Sequence, residues 1–351
     1  MFPKLNIREK NILEIINSNP RIDIHSIEKQ LEEETSRPTL NRDIEKLLEL
    51  NLIERIGKAR ATSYVVSILF KLLEEIDVDK YFAVEEDKRV IRESFNFEIF
   101  ETLISASEII FSKKESEHIN NLNQKYLINR NELSETLIKK EFERLTIELA
   151  WKSSKIEGNT YSLLDTETLI KSGIEAKGHN KEEATMLLNH KKALEYINEK
   201  PKNFQKITTN KIEELHSILI EGLEINQKIR NKPVGITGTR YRPLDNQFQI
   251  KEALDQSAIV INQTKNILTK SLLASALISY LQAFEDGNKR TSRLLSNSIL
   301  MANDYCPLSF RSIDETEYKK AIILFYEQNN LSYLKDLFLE QFEFAVSNYW
   351  L

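Results

Sequence analysis

Glycine and proline are scarce in this chain, which has 8 glycines and 7 prolines among 351 residues. Sheets joined by tight turns depend on glycine for backbone conformations that other residues avoid, so the scarcity predicts a mostly helical protein with few sharp turns. The few glycines then mark unusual local structure. Four places stand out as candidates for function: Gly57, Gly158, the pair Gly235 and Gly238, and Gly287.

The overall composition excludes several classes of protein. The chain is 41% hydrophobic and 29% charged, with a net charge of −5, which suits packed cores and not a disordered charged tail. A single cysteine, Cys306, excludes an internal disulfide framework and a cysteine-cluster metal site. No apolar run approaches the ~20 residues that span a bilayer, and no apolar signal segment follows Met1. We therefore expect a cytoplasmic protein with no membrane partner, built from two or three units.

Residues 1–67 have the pattern of a winged helix-turn-helix domain. Apolar residues at helical spacing predict three helices, the second over residues 25–34 and the third beginning after Ser36. Two β-rich runs, residues 52–56 and 62–66, flank a basic turn and predict a hairpin. In such domains the third helix enters the major groove of double-stranded DNA while the hairpin contacts phosphate.

On that interpretation, side chains of the third helix and the hairpin turn would contact DNA. They are Arg37, Thr39, Asn41, Arg42 and Arg60. Acidic residues interleave with these side chains and the whole chain is acidic, so a protein-interaction module, including one for a homodimer, is the alternative.

The rest of the chain is predicted to be helical. Residues 68–136 carry no recognisable motif and are interpreted as a helical connector. Residues 137–351 form a succession of helices interrupted by one segment, residues 233–243, whose glycines and β-branched residues predict a small β-hairpin. The expected fold class is therefore mainly α, with a winged helix-turn-helix domain, a connector and an all-helical core that bears a hairpin flap.

The sequence Asp-Gly-Asn-Lys at positions 286–289 predicts an anion site. At a helix start, unpaired backbone N–H groups and the positive end of the helix dipole favour phosphate. Lys289, Arg290 and Arg293 add three cations, and Asp286 could hold a divalent cation that bridges phosphate oxygens. The plain alternative is an ordinary helix cap beside solvated arginines, but three cations beside such a loop favour phosphate binding.

Residues 282–293 resemble the signature of the Fic family, His-Pro-Phe-x-(Asp/Glu)-Gly-Asn-(Gly/Lys)-Arg-x-x-Arg. Upstream, Ser153-x-x-x-Glu157-Gly158 resembles the inhibitory motif (Ser/Thr)-x-x-x-Glu-(Gly/Asn) that precedes the core of such proteins. The segment from Gly238 to Ile250 resembles the family's target-binding flap. The resemblance covers roughly residues 137–349, and a winged helix beside a Fic domain is a familiar pairing.

The resemblance implies transfer of AMP from ATP, with Mg²⁺, to a serine, threonine or tyrosine hydroxyl of a target protein. Asp286 would hold the metal ion and Phe284 would anchor the loop. The implied nucleotide-binding residues are Gly287, Asn288, Lys289, Arg290 and Arg293. The implied flap residues, which would align a target strand by main-chain pairing, are Gly238, Thr239 and Tyr241.

Glu157 is implied to be inhibitory, with Ser153 and Gly158 completing its motif. A carboxylate at a helix end can form a bidentate pair with Arg293 and occupy space that the γ-phosphate needs. The alternative is an ordinary surface glutamate at a helix end.

The chain departs from the signature at its first two positions, where Gln282 replaces the catalytic histidine and Ala283 replaces proline. A glutamine amide cannot accept a proton near neutral pH, and losing a general base costs about 10²–10⁴ in rate. His190 and His216 lie on amphipathic helices, where structural roles are expected. Three interpretations stay open: an impaired adenylyltransferase, a catalytically silent ATP-responsive DNA-binding regulator, and a phosphotransferase or de-adenylylating variant.

Overall fold

The computed structural model describes residues 5–31 and 35–351, apart from the side chain of Arg60. Two compact units divide the chain, the first being Met1–Glu75 with Gln328–Ser332 and the second Ile76–Glu327 with Tyr333–Leu351. Residues 68–75 of the predicted connector thus belong to the first unit and residues 76–136 to the second.

The first unit has the element order that its sequence predicts, three helices followed by an antiparallel hairpin. Its elements are α1 Ile7–Ser18, α2 Ile24–Gln30, α3 Arg37–Glu49, β1 Ile53–Ile56, β2 Ser63–Val66 and α4 Ile68–Leu73. Residues 32–34 of the predicted second helix lie outside the described residues.

Local chemistry fixes the boundaries of these helices. Asn6 and Glu9 form a reciprocal capping box at the start of α1, and Asp23 accepts hydrogen bonds from the first N–H groups of α2. The strands pair with Ile53 opposite Val66, which directs both side chains into an apolar core shared with the three helices.

The second unit consists of helices. They are α5 Val78–Ala83, α6 Ile99–Ala106, α7 Lys113–Glu132, α8 Glu135–Ile156, α9 Leu163–Ser172, α10 Lys181–Glu199, α11 Thr209–Leu219, α12 Gln247–Gln263, α13 Ile267–Leu281, α14 Asn288–Ala302, α15 Glu315–Gln328 and α16 Ser332–Asn348.

Helix α13 lies at the centre of this unit and is buried on every side from Leu268 to Leu281. A helix that is apolar all round requires partners on all faces, and α13 packs against α12 and α14. Helices α8, α10 and α11 also contact α14, so the end of α8 and the beginning of α14 meet at one edge of the core.

The fold class predicted from the sequence is confirmed, since the described residues are mainly helical and contain a single two-stranded sheet. That sheet is the hairpin of the first unit. No described helix combines the length and apolarity needed to span a membrane.

Residues 233–246 differ from the predicted hairpin flap, because no strand forms in this segment. The segment turns at Gly238, whose φ is 90°, and makes one isolated parallel bridge, between Arg242 and Ser94. Side-chain burial explains the difference, since Tyr241 is buried and stacks on Tyr280 with its ring centroid 4.8 Å away. The backbone follows that anchor and does not pair with itself.

Candidate functional site

The loop between α13 and α14, residues 282–287, is shaped by two left-handed residues. Gln282 ends α13 at φ 50°, and Gly287 begins α14 at φ 81°. A left-handed conformation at a non-glycine residue costs of order 1–3 kcal/mol and persists only where surroundings enforce it. Asn288 supplies that enforcement, because its side chain accepts from the Phe284 N–H (2.9 Å) and donates to the Phe284 carbonyl (2.8 Å).

His216 supports the loop from behind. Its ring stacks on Phe284 with centroids 3.6 Å apart, and its Nε2 donates to the Asp286 carbonyl at 2.9 Å. Burial lowers the pKa of His216 to about 4, so the ring is neutral at physiological pH. The ring is not among the residues that line the cavity described below, which agrees with the structural role expected from the sequence.

The first turn of α14 offers hydrogen-bond donors. No described side chain caps this helix, and the first N–H groups of a helix have no partner within it. Arg290 is 1% exposed, and its Nε and Nη1 atoms are buried without a hydrogen-bond partner among the described residues. Unsatisfied buried donors cost about 1–3 kcal/mol each, so this geometry suits an anionic ligand.

A cavity of about 500 Å³ opens beside these donors. Its polar wall includes residues 285–290, and its apolar wall comes from residues 234–236 and from α15. Ile322, Ile323 and Tyr326 are the α15 side chains that contribute apolar surface. A pocket of this size with one polar and one apolar wall is typical of a small-molecule site.

Asp286 lies at the mouth of the cavity, with its side chain 63% exposed. One carboxylate oxygen contacts Arg290 at 2.9 Å and the other accepts from the Gly287 N–H at 2.6 Å. No group of three or more metal-ligating side chains occurs among the described residues. A single accessible carboxylate fits Mg²⁺, which is commonly held by one or two carboxylates plus phosphate oxygens and water.

Glu157 ends α8, and its carboxylate is bound by two cations from α14. One oxygen contacts Arg293 at 2.8 Å and the other contacts Lys289 at 2.9 Å. Burial would raise the pKa of Glu157, but the charges of Arg293 and Lys289 outweigh it and lower the pKa to about 2. The carboxylate predicted to pair with Arg293 is therefore ionised and occupies the cavity wall.

Ser153 bonds Arg293, the partner of Glu157, and Gly158 lets the helix end directly after Glu157. Ser153 accepts hydrogen bonds from Arg293 through both its hydroxyl (2.8 Å) and its carbonyl (2.9 Å). Gly158 adopts φ 99°, a conformation that ends α8 directly after the glutamate. Glu157 and Ser153 thus both contact Arg293, and the pairing of Glu157 with Arg293 is the one that the sequence predicts.

Both polar atoms of the Gln282 side chain are hydrogen-bonded within the protein. Its Nε2 donates to the Ser279 carbonyl (2.6 Å) and to the Tyr326 hydroxyl (3.2 Å), and its Oε1 accepts from Asn288 at 3.2 Å. The side chain is 7% exposed at the cavity wall. It acts as a structural tie across the loop, and the geometry provides no base at this position.

The flap residues are placed differently from the prediction. Thr239 and Tyr241 are buried, and the Tyr241 hydroxyl donates to the Tyr280 carbonyl at 3.0 Å. The Gly238 carbonyl accepts from Arg89 at 2.6 Å. These residues anchor the segment, while residues 234–237, one turn earlier, line the cavity.

The predicted DNA-contacting residues belong to the first unit. Arg37 is paired with Glu28, and Ser36 bonds the Thr39 hydroxyl. Asn41 and Arg42 are exposed on α3. The Arg60 side chain lies outside what the structure describes.

Sequence analysis did not identify Arg230, which is 1% exposed and braces the loop. Its Nε donates to the Gln282 carbonyl at 2.6 Å, and its backbone N–H donates to the Ala283 carbonyl at 3.1 Å. Tyr326 was missed for the same reason. Each lies more than 40 residues from Gln282 and belongs to no local motif, so only packing reveals it.

Comparison with known proteins identifies the class. Residues 206–300, which include the loop, match the model of the Fic/DOC family. The chain is 26% identical over 168 residues to protein adenylyltransferase fic-1 of Caenorhabditis elegans, covering 46% of this chain and 33% of that protein. It is also 26% identical over 182 residues to protein adenylyltransferase Fic of Nematostella vectensis, covering 48% of this chain and 40% of that protein. The chain thus spans less than half the length of these curated relatives.

Solved structures give the same fold. Fic-1 of C. elegans superposes with a TM-score of 0.60 at 20% identity, covering 71% of this chain and 74% of that one. A Fic domain containing signaling protein from Bacteroides thetaiotaomicron superposes with a TM-score of 0.57 at 18% identity, covering 65% and 94%. Residues 206–300, the part of the chain that matches the Fic/DOC family model, lie within the second unit.

Proposed function

We propose that this protein binds ATP in the cavity at the start of α14, and that its Fic site is an adenylyltransferase site restrained by Glu157 and impaired by Gln282. The observation that carries the proposal is the pair of buried, unpartnered donors on Arg290 beside an uncapped helix start. Phosphate is the ligand chemistry that satisfies both features together.

The phosphates would lie against the first turn of α14. Its backbone N–H groups and the Arg290 guanidinium provide fixed donors for the charge of the reacting phosphate. Arg293 and Lys289 add positive charge once they are released from Glu157. The nucleoside would extend toward the apolar wall formed by α15 and residues 234–236.

Asp286 is the residue that would hold Mg²⁺. A bound Mg²⁺ ion would neutralise part of the negative charge of the phosphates. The Asp286 carboxylate is exposed at the cavity mouth and is fixed by Arg290 and the Gly287 N–H, which supports its proposed role as the metal ligand.

Two of the relatives are named protein adenylyltransferases, and on that ground we propose AMP as the transferred group and a protein hydroxyl as the acceptor. In the described part of the chain, the proposed site lacks a general base that could remove the proton from the acceptor hydroxyl. Gln282 has no basic atom, and its amide already bonds Ser279, Tyr326 and Asn288. His190 and His216 do not line the cavity. We therefore expect transfer to be slower by about 10²–10⁴ than with a histidine at this position.

Glu157 is proposed as the restraint. In its observed position it neutralises Arg293 and Lys289 and forms part of the cavity wall. A nucleotide that places phosphate against these cations must displace the carboxylate, so bound ATP is held weakly or in an unproductive position.

The test is incubation of four proteins with Mg²⁺ and ATP labelled at the α-phosphate: wild type, Glu157→Gly, Gln282→His and the double variant. We expect the most protein-bound label in the double variant and about 10²–10⁴-fold less in Glu157→Gly alone. Arg290→Ala in the double variant is the control and should abolish labelling.

Each contrary result has a distinct meaning. Failure of the Glu157→Gly protein to bind ATP would overturn the nucleotide site. Equal labelling with and without the histidine would show that Gln282 does not limit transfer. Label that appears only when histidine is restored would favour a nucleotide-responsive regulator.

We keep DNA binding by the first unit as a second proposal, because Asn41 and Arg42 are exposed on α3 in the position of a recognition helix. Three nearby cations, Arg37, Lys46 and Arg55, are each paired with a glutamate, so little positive charge is left to bind DNA phosphate. Any DNA binding is therefore expected to be weak or to depend on contacts with specific bases. Binding of labelled duplex with and without ATP tests this proposal.

A further inference from the structure

His190 lies on α10, is 0% exposed and does not line the cavity. Its ring nevertheless links its own helix to Ser153 on α8, beside the contact between Arg293 and Glu157. Nδ1 lies 3.0 Å from the Met186 carbonyl, and Nε2 lies 3.0 Å from the Ser153 hydroxyl. Ser153 in turn bonds Arg293, the partner of Glu157.

The chemistry of these partners fixes the direction of every hydrogen bond. A carbonyl oxygen only accepts, so Nδ1 of His190 carries the proton and donates to Met186. Nε2 is then the acceptor, and the Ser153 hydroxyl donates a hydrogen bond to it. The Ser153 oxygen, with its proton turned toward His190, presents lone pairs to the Nε–H of Arg293. Burial lowers the pKa of His190 to about 3, so the ring remains neutral and this direction is kept at physiological pH.

The same contacts decide which edge of Arg293 is available. Nε and Nη2 are both held by Ser153, and Nη2 also bonds Glu157. Nη1 is buried without a hydrogen-bond partner among the described residues. A guanidinium binds phosphate best through two parallel N–H groups, and here the edge formed by Nε and Nη2 is already occupied.

We propose that His190 is a positioning residue of the restraint: by orienting the Ser153 hydroxyl, it holds Arg293 in the arrangement that binds Glu157 instead of a nucleotide phosphate. This inference rests on the proposed role of Glu157. If His190 served only in packing, ATP affinity would not depend on whether the residue at position 190 offers a hydrogen-bond acceptor to Ser153.

Two substitutions separate the two ring nitrogens. His190→Asn keeps a donor near the Met186 carbonyl but removes the acceptor for Ser153, whereas His190→Gln places a carbonyl oxygen near the position of Nε2. Each is made in the wild-type chain and with Glu157→Gly. Affinity for ATP with Mg²⁺ is measured by calorimetry on the full chain.

A second measurement reports on Arg293 directly. Hydrogen exchange of its Nε–H is followed by ¹⁵N NMR, with the resonance assigned by its loss in Arg293→Lys. Leu194→Ala truncates a fully buried α10 side chain that is not part of the hydrogen-bond relay from His190 through Ser153 to Arg293. It controls for general loosening of the helix.

We expect His190→Asn to bind ATP about three- to tenfold more tightly, as one lost hydrogen bond would produce, and to speed exchange of the Arg293 Nε–H. His190→Gln should resemble wild type in both measurements. With Glu157→Gly, the two His190 variants should bind ATP equally.

The contrary outcomes are distinguishable. Unchanged Arg293 exchange in His190→Asn, or the same change in Leu194→Ala, would overturn the relay. Faster exchange with unchanged ATP affinity, while Glu157→Gly does tighten binding, would refute the link to the restraint. If Glu157→Gly leaves affinity unchanged, the restraint itself fails and this inference falls with it.

Discussion

Replacing Glu157 by glycine should strengthen ATP binding, because the carboxylate and the phosphates compete for the same cations. Glu157 is held by Arg293 at 2.8 Å and by Lys289 at 2.9 Å, with its side chain 16% exposed. Glycine removes both contacts and the bulk that forms part of the cavity wall.

The magnitude follows from the strength of those contacts. Lowering the pKa of Glu157 from its ordinary value of 4.5 to about 2 corresponds to about 3 kcal/mol of stabilisation of the ionised carboxylate, at about 1.4 kcal/mol per pH unit. A single hydrogen bond to a charged group contributes about 1.5–3 kcal/mol, which gives the lower bound. A phosphate that inherits these contacts should therefore bind about 10- to 100-fold more tightly.

Calorimetric titration with ATP and Mg²⁺ measures this change. Glu199→Gly is a matched control, since it also replaces a glutamate at the end of a helix, α10, but Glu199 is exposed and does not line the cavity. It should leave the affinity unaltered. Equal affinities of wild type and Glu157→Gly, with both proteins folded by circular dichroism, would refute the reasoning that the carboxylate and the phosphates compete.

Three further predictions concern other parts of the molecule. Burial keeps His190 neutral in the folded protein, with a pKa of about 3, while an unfolded histidine takes up a proton below about pH 6.5. The free energy of unfolding of wild type should therefore fall relative to that of His190→Gln as the pH falls from 6.5 toward 3, by up to about 1.4 kcal/mol per pH unit. Urea unfolding at several pH values measures this dependence, and the same pH dependence in both proteins would contradict the prediction. Asp286→Ala should weaken ATP binding in the presence of Mg²⁺ about tenfold or more, because a contact worth ~1.5 kcal/mol is lost. Binding without the metal ion should be unaltered. An equal loss of affinity in EDTA would refute the assignment of Asp286 as the metal ligand. Arg42→Ala should weaken binding of mixed-sequence duplex DNA and reduce the salt dependence of log K by about 1, and indifference at every salt concentration would leave α3 without a DNA role.

The residues that define the candidate site were accessible to sequence analysis because they are close together in the chain. The chain turns at Gly287, where helix α14 begins. This local geometry brings Asp286, Lys289 and Arg290 together at the cavity. Helix content was predictable for a similar reason, since spacing and capping residues such as Asn6 act within one turn. Glu157 required the recognition of a second motif, and its contact with Arg293 then followed.

The sequence was a poor guide where long-range contacts compete with local preference. The β-branched segment 233–243 has strand character, yet burial of Tyr241 against Tyr280 outweighs it and no hairpin forms. The sequence of α3 contains cationic side chains that appeared available to bind DNA. In the structure, Arg37 and Lys46 are paired with acidic residues of α2 and α1.

The sequence by itself determined that this chain is mainly helical, that residues 282–293 have the pattern of an anion-binding loop and that the histidine of the signature they resemble is missing. Only the tertiary structure decided what Gln282 does, because its partners Ser279, Tyr326 and Asn288 come from three different helices. The same holds for the relay from His190 through Ser153 to Arg293. A backbone turn depends on a few adjacent residues, but a side-chain hydrogen bond between distant segments exists only once packing has fixed both ends.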